Sequence, residues 1–356
     1  MAQWRVMQRK RLACAAPTML AAAAWLGIVT GPVATAQAPA KPTPQSVVFT
    51  DYTPLADNAE LARRLLSPLA YVELRRRLAG AGGSLSGYPV DLAAEKFLLY
   101  VPARPPAAGY GLMVFVPPWD DARLPEGWSG VLDRLGMVFV SAAHSGNDAA
   151  NGRREPLAVL AAYDVMQRLK VDPARVLVAG FSGGSRIAMR LALAYPDLFR
   201  GAVLNAGSDP IGSGEPALPP RELFERFQEQ SRLVYVTGDR DTLHLAMDAA
   251  SLESMRKWCV LGVTQRITAW TAHEGASGAA LSRALQALEA PAAADPGRLD
   301  ACRAGIEQRL TQQLAEVQAL TARGERGQAR KRLAAIDREF GGVAAPRSVE
   351  LEAALE

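Results

Sequence analysis

Asp172-Pro173-Ala174-Arg175-Val176-Leu177-Val178-Ala179-Gly180-Phe181-Ser182-Gly183-Gly184 decides how this chain is read. Val176 to Ala179 is an apolar run of buried-strand length, and Arg186 to Ala194 has helical spacing. Between them stands a G-x-S-x-G string in the strand–turn–helix context that gives such a string meaning. A turn this sharp forces its central serine into a strained conformation, so only small neighbours fit. Gly180 and Gly184 let the strand and the helix approach each other. The turn lifts the Ser182 hydroxyl to the edge of a sheet, and the helix start beyond it offers the Gly183 N–H to a developing oxyanion.

On both sides of this stretch, short apolar runs alternate with helical patterns. Strands are expected at Phe97 to Val101, Gly111 to Val116, Met137 to Val140, Ala202 to Leu204, Leu233 to Val236 and Arg266 to Trp270. Helices are expected at Leu55 to Ala79, Glu155 to Leu169, Arg221 to Gln230, Leu245 to Leu261 and Ala279 to Leu288. All-apolar strands separated by amphipathic helices imply a mostly parallel sheet covered on both faces, a doubly wound α/β fold. Ligand sites in such sheets lie at the carboxyl ends of the strands.

A serine nucleophile needs a base, and the chain holds three histidines. His273 follows the last expected strand and comes after Ser182, as the chain order serine, acid, histidine requires. His244 is its rival. His144 follows the strand ending at Val140 and is expected beside the substrate, as is Phe181. The acid belongs after the penultimate strand, where Gly238-Asp239-Arg240-Asp241 offers two candidates. The Gly-x-x-Asp spacing favours Asp241, and Asp239 remains the alternative. Trp119, Trp128, His144, Ile211 and Leu218, in loops near the expected site, suggest a partly apolar pocket.

These motifs, with Ala194-Tyr195-Pro196-Asp197-Leu198-Phe199 after the elbow helix, resemble the α/β-hydrolase superfamily over roughly residues 96–290. The resemblance is to extracellular esterases of the polyhydroxybutyrate depolymerase and feruloyl esterase type. It implies a serine hydrolase without metal or organic cofactor, with Ser182, Asp241 and His273 as its triad. One departure stands out. Where that family has His-Gly supplying a second oxyanion donor, this chain has Pro117-Pro118, and a prolyl nitrogen carries no hydrogen. Trp119 takes the donor position instead.

The rest of the chain sets the context. Residues 1–36 combine Arg5, Arg9, Lys10 and Arg11 with a weakly apolar stretch and the small-x-small ending Val33-Ala34-Thr35-Ala36, the pattern of a cleavable export signal, with an uncleaved membrane anchor as the alternative because the stretch is about long enough to span. A periplasmic or secreted protein is expected. Without those residues the chain carries 36 basic and 36 acidic side chains, so its basic character speaks for no nucleic-acid partner, and no membrane contact is expected after cleavage. Residues 37–46 and 291–297 read as linkers around a main domain at 47–290. Residues 298–356 form a helical appendage whose hairpin, Arg298 to Ala322 and Gly327 to Phe340, packs on the main domain or on a partner protein. Cys259 and Cys302 either pair as a disulfide or remain two buried thiols, and no metal-ligand spacing occurs. Three functions compete: an ester hydrolase, a peptidase on the same machinery, and a non-catalytic scaffold that kept the fold.

Overall fold

A computed structural model describes residues 42–290 and 296–356. The expected signal at 1–36 lies outside the described residues, as do 37–41 of the first linker and 291–295 of the second. Eight strands form one sheet: β1 (Gln45–Val47), β2 (Phe97–Tyr100), β3 (Tyr110–Val116), β4 (Met137–Ala142), β5 (Val171–Phe181), β6 (Gly201–Asn205), β7 (Arg232–Gly238) and β8 (Val263–Thr268). Their order is β1-β2-β4-β3-β5-β6-β7-β8. β2 runs antiparallel to both β1 and β4, and every other pairing is parallel. This is the mostly parallel, doubly wound sheet of the α/β-hydrolase fold.

The central strands β3, β4 and β6 are buried along their whole length. Their near-continuous apolar sequence is what burial on two faces selects. On one face, helices α3 (Ser129–Leu135) and α8 (Gly278–Glu289) lay Val131, Leu132, Leu281 and Leu285 against Met113, Phe115, Phe139 and Val203. The other face carries α4 (Asn151–Arg168), α5 (Gly183–Ala194) and α6 (Arg221–Gln230). Further along the chain, α7 (Thr242–Lys257) links β7 to β8.

Several elements depart from expectation, among them the last strand, which runs Val263–Thr268 and ends before Trp270. Leu55 to Ala79 is not one helix but α1 (Asn58–Leu65) and α2 (Pro68–Gly80). Ser67 caps the start of α2 and Pro68 takes its first turn, which ends the preceding helix. Gln45 and Ser46, read as linker, belong to the edge strand β1. Three residues are too few for a period to show.

The carboxyl-terminal region forms α9 (Pro296–Ala322), α10 (Arg326–Phe340) and a third helix, α11 (Arg347–Leu355), beyond the expected hairpin. Ile306, Leu310, Leu314 and Val317 of α9 and Leu333, Ile336 and Phe340 of α10 join the same core as the sheet residues. Each such side chain, fully buried, contributes roughly 1.5–3 kcal/mol. Polar ties reinforce the seat: Arg303 donates to Gln228 and to the Glu225 carbonyl, and Gly342 N–H donates to Leu218 O. Cys259, just past α7, is bridged to Cys302 of α9, with Cα atoms 5.9 Å apart. Lys41–Glu356 is one compact unit.

Candidate active site

Ser182 stands between β5 and α5 with φ 54° and ψ −124°, a region an L-residue enters only under constraint. The constraint comes from both sides. Ser182 N–H donates to Asn205 O at 2.8 Å, and Ser185 N–H donates back to Ser182 O at 2.9 Å. A Cβ on Gly180 would stand 2.1 Å from Gly184 O, and one on Gly184 would stand 2.0 Å from Val116 O. Both glycines are therefore required by backbone proximity, as the motif implied.

His273 follows β8 and places Nε2 3.0 Å from Ser182 Oγ. Its Nδ1 lies 2.7 Å from Asp241 Oδ2. A carboxylate only accepts, so Nδ1 carries the proton and Nε2 presents its lone pair to the serine hydroxyl. Asp239 instead accepts from Thr271 N–H at 3.2 Å and shapes the loop before His273. His244, the rival base, does not reach Ser182. It lies one turn into α7, where Asp241 is the N-cap, and its Nδ1 donates to Asp241 Oδ1 at 2.7 Å.

Asp241 thus receives a histidine on each oxygen. Burial pushes its carboxyl up, but the hydrogen bonds from His244 and His273 outweigh burial and hold it below the ordinary range. The imidazoles of His244 and His273 stack 4.1 Å apart at 13°, and Phe181 flanks His273 at 4.9 Å. Phe181 therefore supports the candidate base as well as bordering the serine. Asp241, His244 and His273 bring three groups of metal-ligand type, one carboxylate and two imidazoles, close together. Near-parallel rings aim their in-plane lone pairs side by side, and both Nδ1 atoms already donate to the carboxylate. That arrangement suits a hydrogen-bonded relay better than a chelate.

The loop after β3 is held by its carbonyls, since its prolines have no N–H. Arg154 Nη2 donates to Pro117 O at 2.9 Å, Arg154 Nε donates to Ser145 O at 2.9 Å, and Asn147 N–H donates to Pro118 O at 3.0 Å. The Trp119 N–H comes directly after these anchored carbonyls. Its indole packs against Phe115 and Phe181, with the Arg123 guanidinium 4.1 Å over the ring. The Gly183 N–H opens α5 and has no intrahelical acceptor. Asn147 stands close by, because a Cβ on Gly183 would lie 2.1 Å from Asn147 Oδ1.

Asn205 escaped the sequence reading. It ends β6, is buried, and donates from Nδ2 to Val236 O at 2.8 Å while Oδ1 accepts from Ala276 N–H at 2.6 Å. One residue thus holds the elbow through its backbone carbonyl and ties β7 to the loop after His273 through its side chain. The available signal was an amide closing an otherwise apolar strand.

A cleft of about 630 Å³ opens beside Ser182, and Arg154, Arg186, Arg190, Asp209 and Glu215 line it with Asn147. The partly apolar pocket expected from the loops is replaced by a largely polar one. Ile211 and Leu218 are fully buried in the core, and Trp128 is spent on the Ala276 carbonyl. His144 does not line this cleft. It is exposed, with φ 50°, and pairs with Asp120 Oδ2 at 2.6 Å. A larger cavity, about 1060 Å³, lies at the opposite edge of the sheet among Arg134, Arg175, Arg200 and Arg232, away from the serine.

No family model and no curated protein matches this sequence. Solved structures do. The chain is similar to an S-formylglutathione hydrolase from Staphylococcus aureus at 13% identity, over 55% of this chain and 92% of that one, with a TM-score of 0.41. It is similar to an esterase from Thermogutta terrifontis at 20% identity, over 56% and 86%, with a TM-score of 0.40. A putative dipeptidyl aminopeptidase from Bacteroides ovatus matches at 17% identity, over 69% and 36%, with a TM-score of 0.40. At these scores the fold assignment rests on strand order and register rather than on the likeness.

Proposed function

We propose that this chain is a serine hydrolase that cleaves carboxylic esters through an acyl-enzyme intermediate. The observation that carries the reading is the relay Ser182 Oγ, His273 Nε2, His273 Nδ1, Asp241 Oδ2, with separations of 3.0 and 2.7 Å, mounted on a strained elbow. His273 takes the Ser182 proton as Oγ attacks the ester carbonyl. The Gly183 and Trp119 N–H groups receive the oxyanion. The tetrahedral centre collapses, the alcohol leaves with the proton from His273, and the acyl group remains on Oγ. Water, deprotonated by His273, repeats the sequence and frees the acid. Asp241 keeps His273 in the required tautomer and stabilises its imidazolium.

The finer kinship, to extracellular polyhydroxybutyrate depolymerases and feruloyl esterases, is supported by the elbow sequence and the Ala194 to Phe199 segment. Export to the periplasm or beyond is supported by the signal-like residues 1–36 and suits the Cys259–Cys302 bridge. The test is labelling of the purified protein with a fluorophosphonate probe beside Ser182→Ala. Wild type is expected to label and to hydrolyse a p-nitrophenyl ester, with both lost in the variant. Absence of labelling, while a control esterase labels, overturns the proposal.

A further inference from the structure

The cleft beside Ser182 has a directional charge pattern that ester chemistry alone does not explain. Ser182, Arg186 and Arg190 are spaced i, i+4, i+8, so the two arginines branch from one face of α5, about one and two turns past the serine. Arg154 of α4 faces them across the cleft.

Each guanidinium is held from its rear. Arg186 donates through Nε to Asp209 Oδ2 at 2.8 Å, and Arg190 donates through Nε to the buried Glu155. Among the described residues neither has a further acceptor on its Nη groups. Arg154 is 4% exposed and has no carboxylate in ion-pair reach among those residues, only the two loop carbonyls. Burial first, and Arg186 further, draw its pKa down to about 10 against the pull of Glu155, so it remains cationic at neutral pH. Glu215 and Asp209 are the acidic groups on the cleft wall; Glu215 is exposed at the rim and Asp209 is spent on Arg186. The amino ends of α4 and α5 add their positive poles on the same side.

We propose that this cleft selects substrates carrying a carboxylate or similar anion at some distance from the scissile ester, seated on Arg186 and Arg154. The inference rests on the serine-hydrolase reading above and names its substrate class. A planar anion would meet free guanidinium edges already oriented by their rear contacts. With Arg186 one helical turn beyond Ser182 on the wall of the same cleft, a dicarboxylic monoester suits the site better than a bare acetate.

The experiment has a binding arm and a turnover arm. In Ser182→Ala, calorimetry compares monomethyl adipate with dimethyl adipate and with a choline ester. The monoanion is expected to bind at least tenfold more tightly than the diester, and added salt is expected to narrow the gap. Arg186→Gln in the same background is expected to bring the ratio towards one; Arg186 is largely exposed, so folding is not at risk. In wild type, p-nitrophenyl monoesters of glutarate and adipate are compared with their methyl esters, and acetylated hydroxy acids with theirs. A preference in the first pair places the anion on the acyl side, and in the second on the alcohol side; either supports the proposal. Equal binding of monoanion and diester, no measurable binding of the monoanion, or preference for the cation overturns it. Fluorophosphonate labelling reads the nucleophile separately. Labelling without charge discrimination rejects this inference and keeps the hydrolase, while discrimination without labelling does the reverse.

Discussion

The two edges of the sheet divide labour differently. At the carboxyl edge, strain is carried by residues with side chains: His144, Ser182, Ala206 and Trp270, all with positive φ, follow β4, β5, β6 and β8. At the amino edge the positive φ values before β3 and β4 belong to Gly109 and Gly136, where they cost little. Cys259, ahead of β8, is the exception, and it is tied by its disulfide. The larger cavity sits at the relaxed edge and the smaller cleft at the strained one. Cavity size therefore does not locate the chemistry in this fold. The smaller cleft is where constrained backbone, helix amino ends and titratable groups converge.

That contrast predicts a gradient of effects. The largest follows from Asp241→Asn, which offers His273 an amide that can present the wrong group to Nδ1. The catalytic rate is expected to fall by roughly a thousandfold or more with the melting temperature little changed; a fall of less than tenfold would remove Asp241 from the relay. His244→Ala deletes one donor to Asp241 and one stacked ring. Loss of a hydrogen bond to a charged group corresponds to about tenfold in kcat/KM. An effect on KM alone would make His244 a substrate contact instead.

Asp248 of α7 tests stability rather than rate. It is fully buried, and burial pushes its carboxyl up to about 6 despite the Thr237 hydroxyl at 2.5 Å. The native state then holds this proton at pH values where the unfolded chain, titrating near 4, has lost it. Its contribution is fully present below about pH 4 and is lost as pH rises through about 6, a change of roughly 3 kcal/mol. Asp248→Asn is expected to melt higher than wild type at pH 8 and to converge with it at pH 4. Parallel melting curves across that range would refute the assignment. The smallest effect belongs to the amino edge. Arg175 there bonds Leu135 O and Glu289, and Arg175→Gln is expected to leave kcat/KM within about twofold. A larger loss would break the contrast between the edges.

The elbow was legible because its demands are local: backbone proximity dictates glycine at 180 and 184, and the sequence must display it. Strand ends and chain order were enough to bring forward His273 and Asp241. The part played by His244 was not legible. It depends on Asp241 capping α7 so that position i+3 turns back onto the same carboxylate, a matter of where the helix begins. The polarity of the cleft was hidden for a related reason. Arg186 and Arg190 look like the solvated face of an amphipathic helix until the fold sets that face beside the serine. Ile211 and Leu218, read as pocket residues from loop position, went to the core because α9, α10 and the segment after them close over that side. Ser129 to Leu135, the short helix α3, offers too few turns for a period to register.

The bridge between Cys259 and Cys302 has a further consequence. It closes the chain into a ring spanning a sequence separation of 43, and β8, His273 and α8 all lie on it. A single peptide-bond cut anywhere on that ring yields a molecule still joined end to end. The segment bearing His273 then stays joined to the whole, through β7 and α7 if the cut lies beyond it and through α9 if the cut lies before it. A proteolytic nick in the exposed segment 272–275 would open the ring without separating the candidate base from the rest of the molecule.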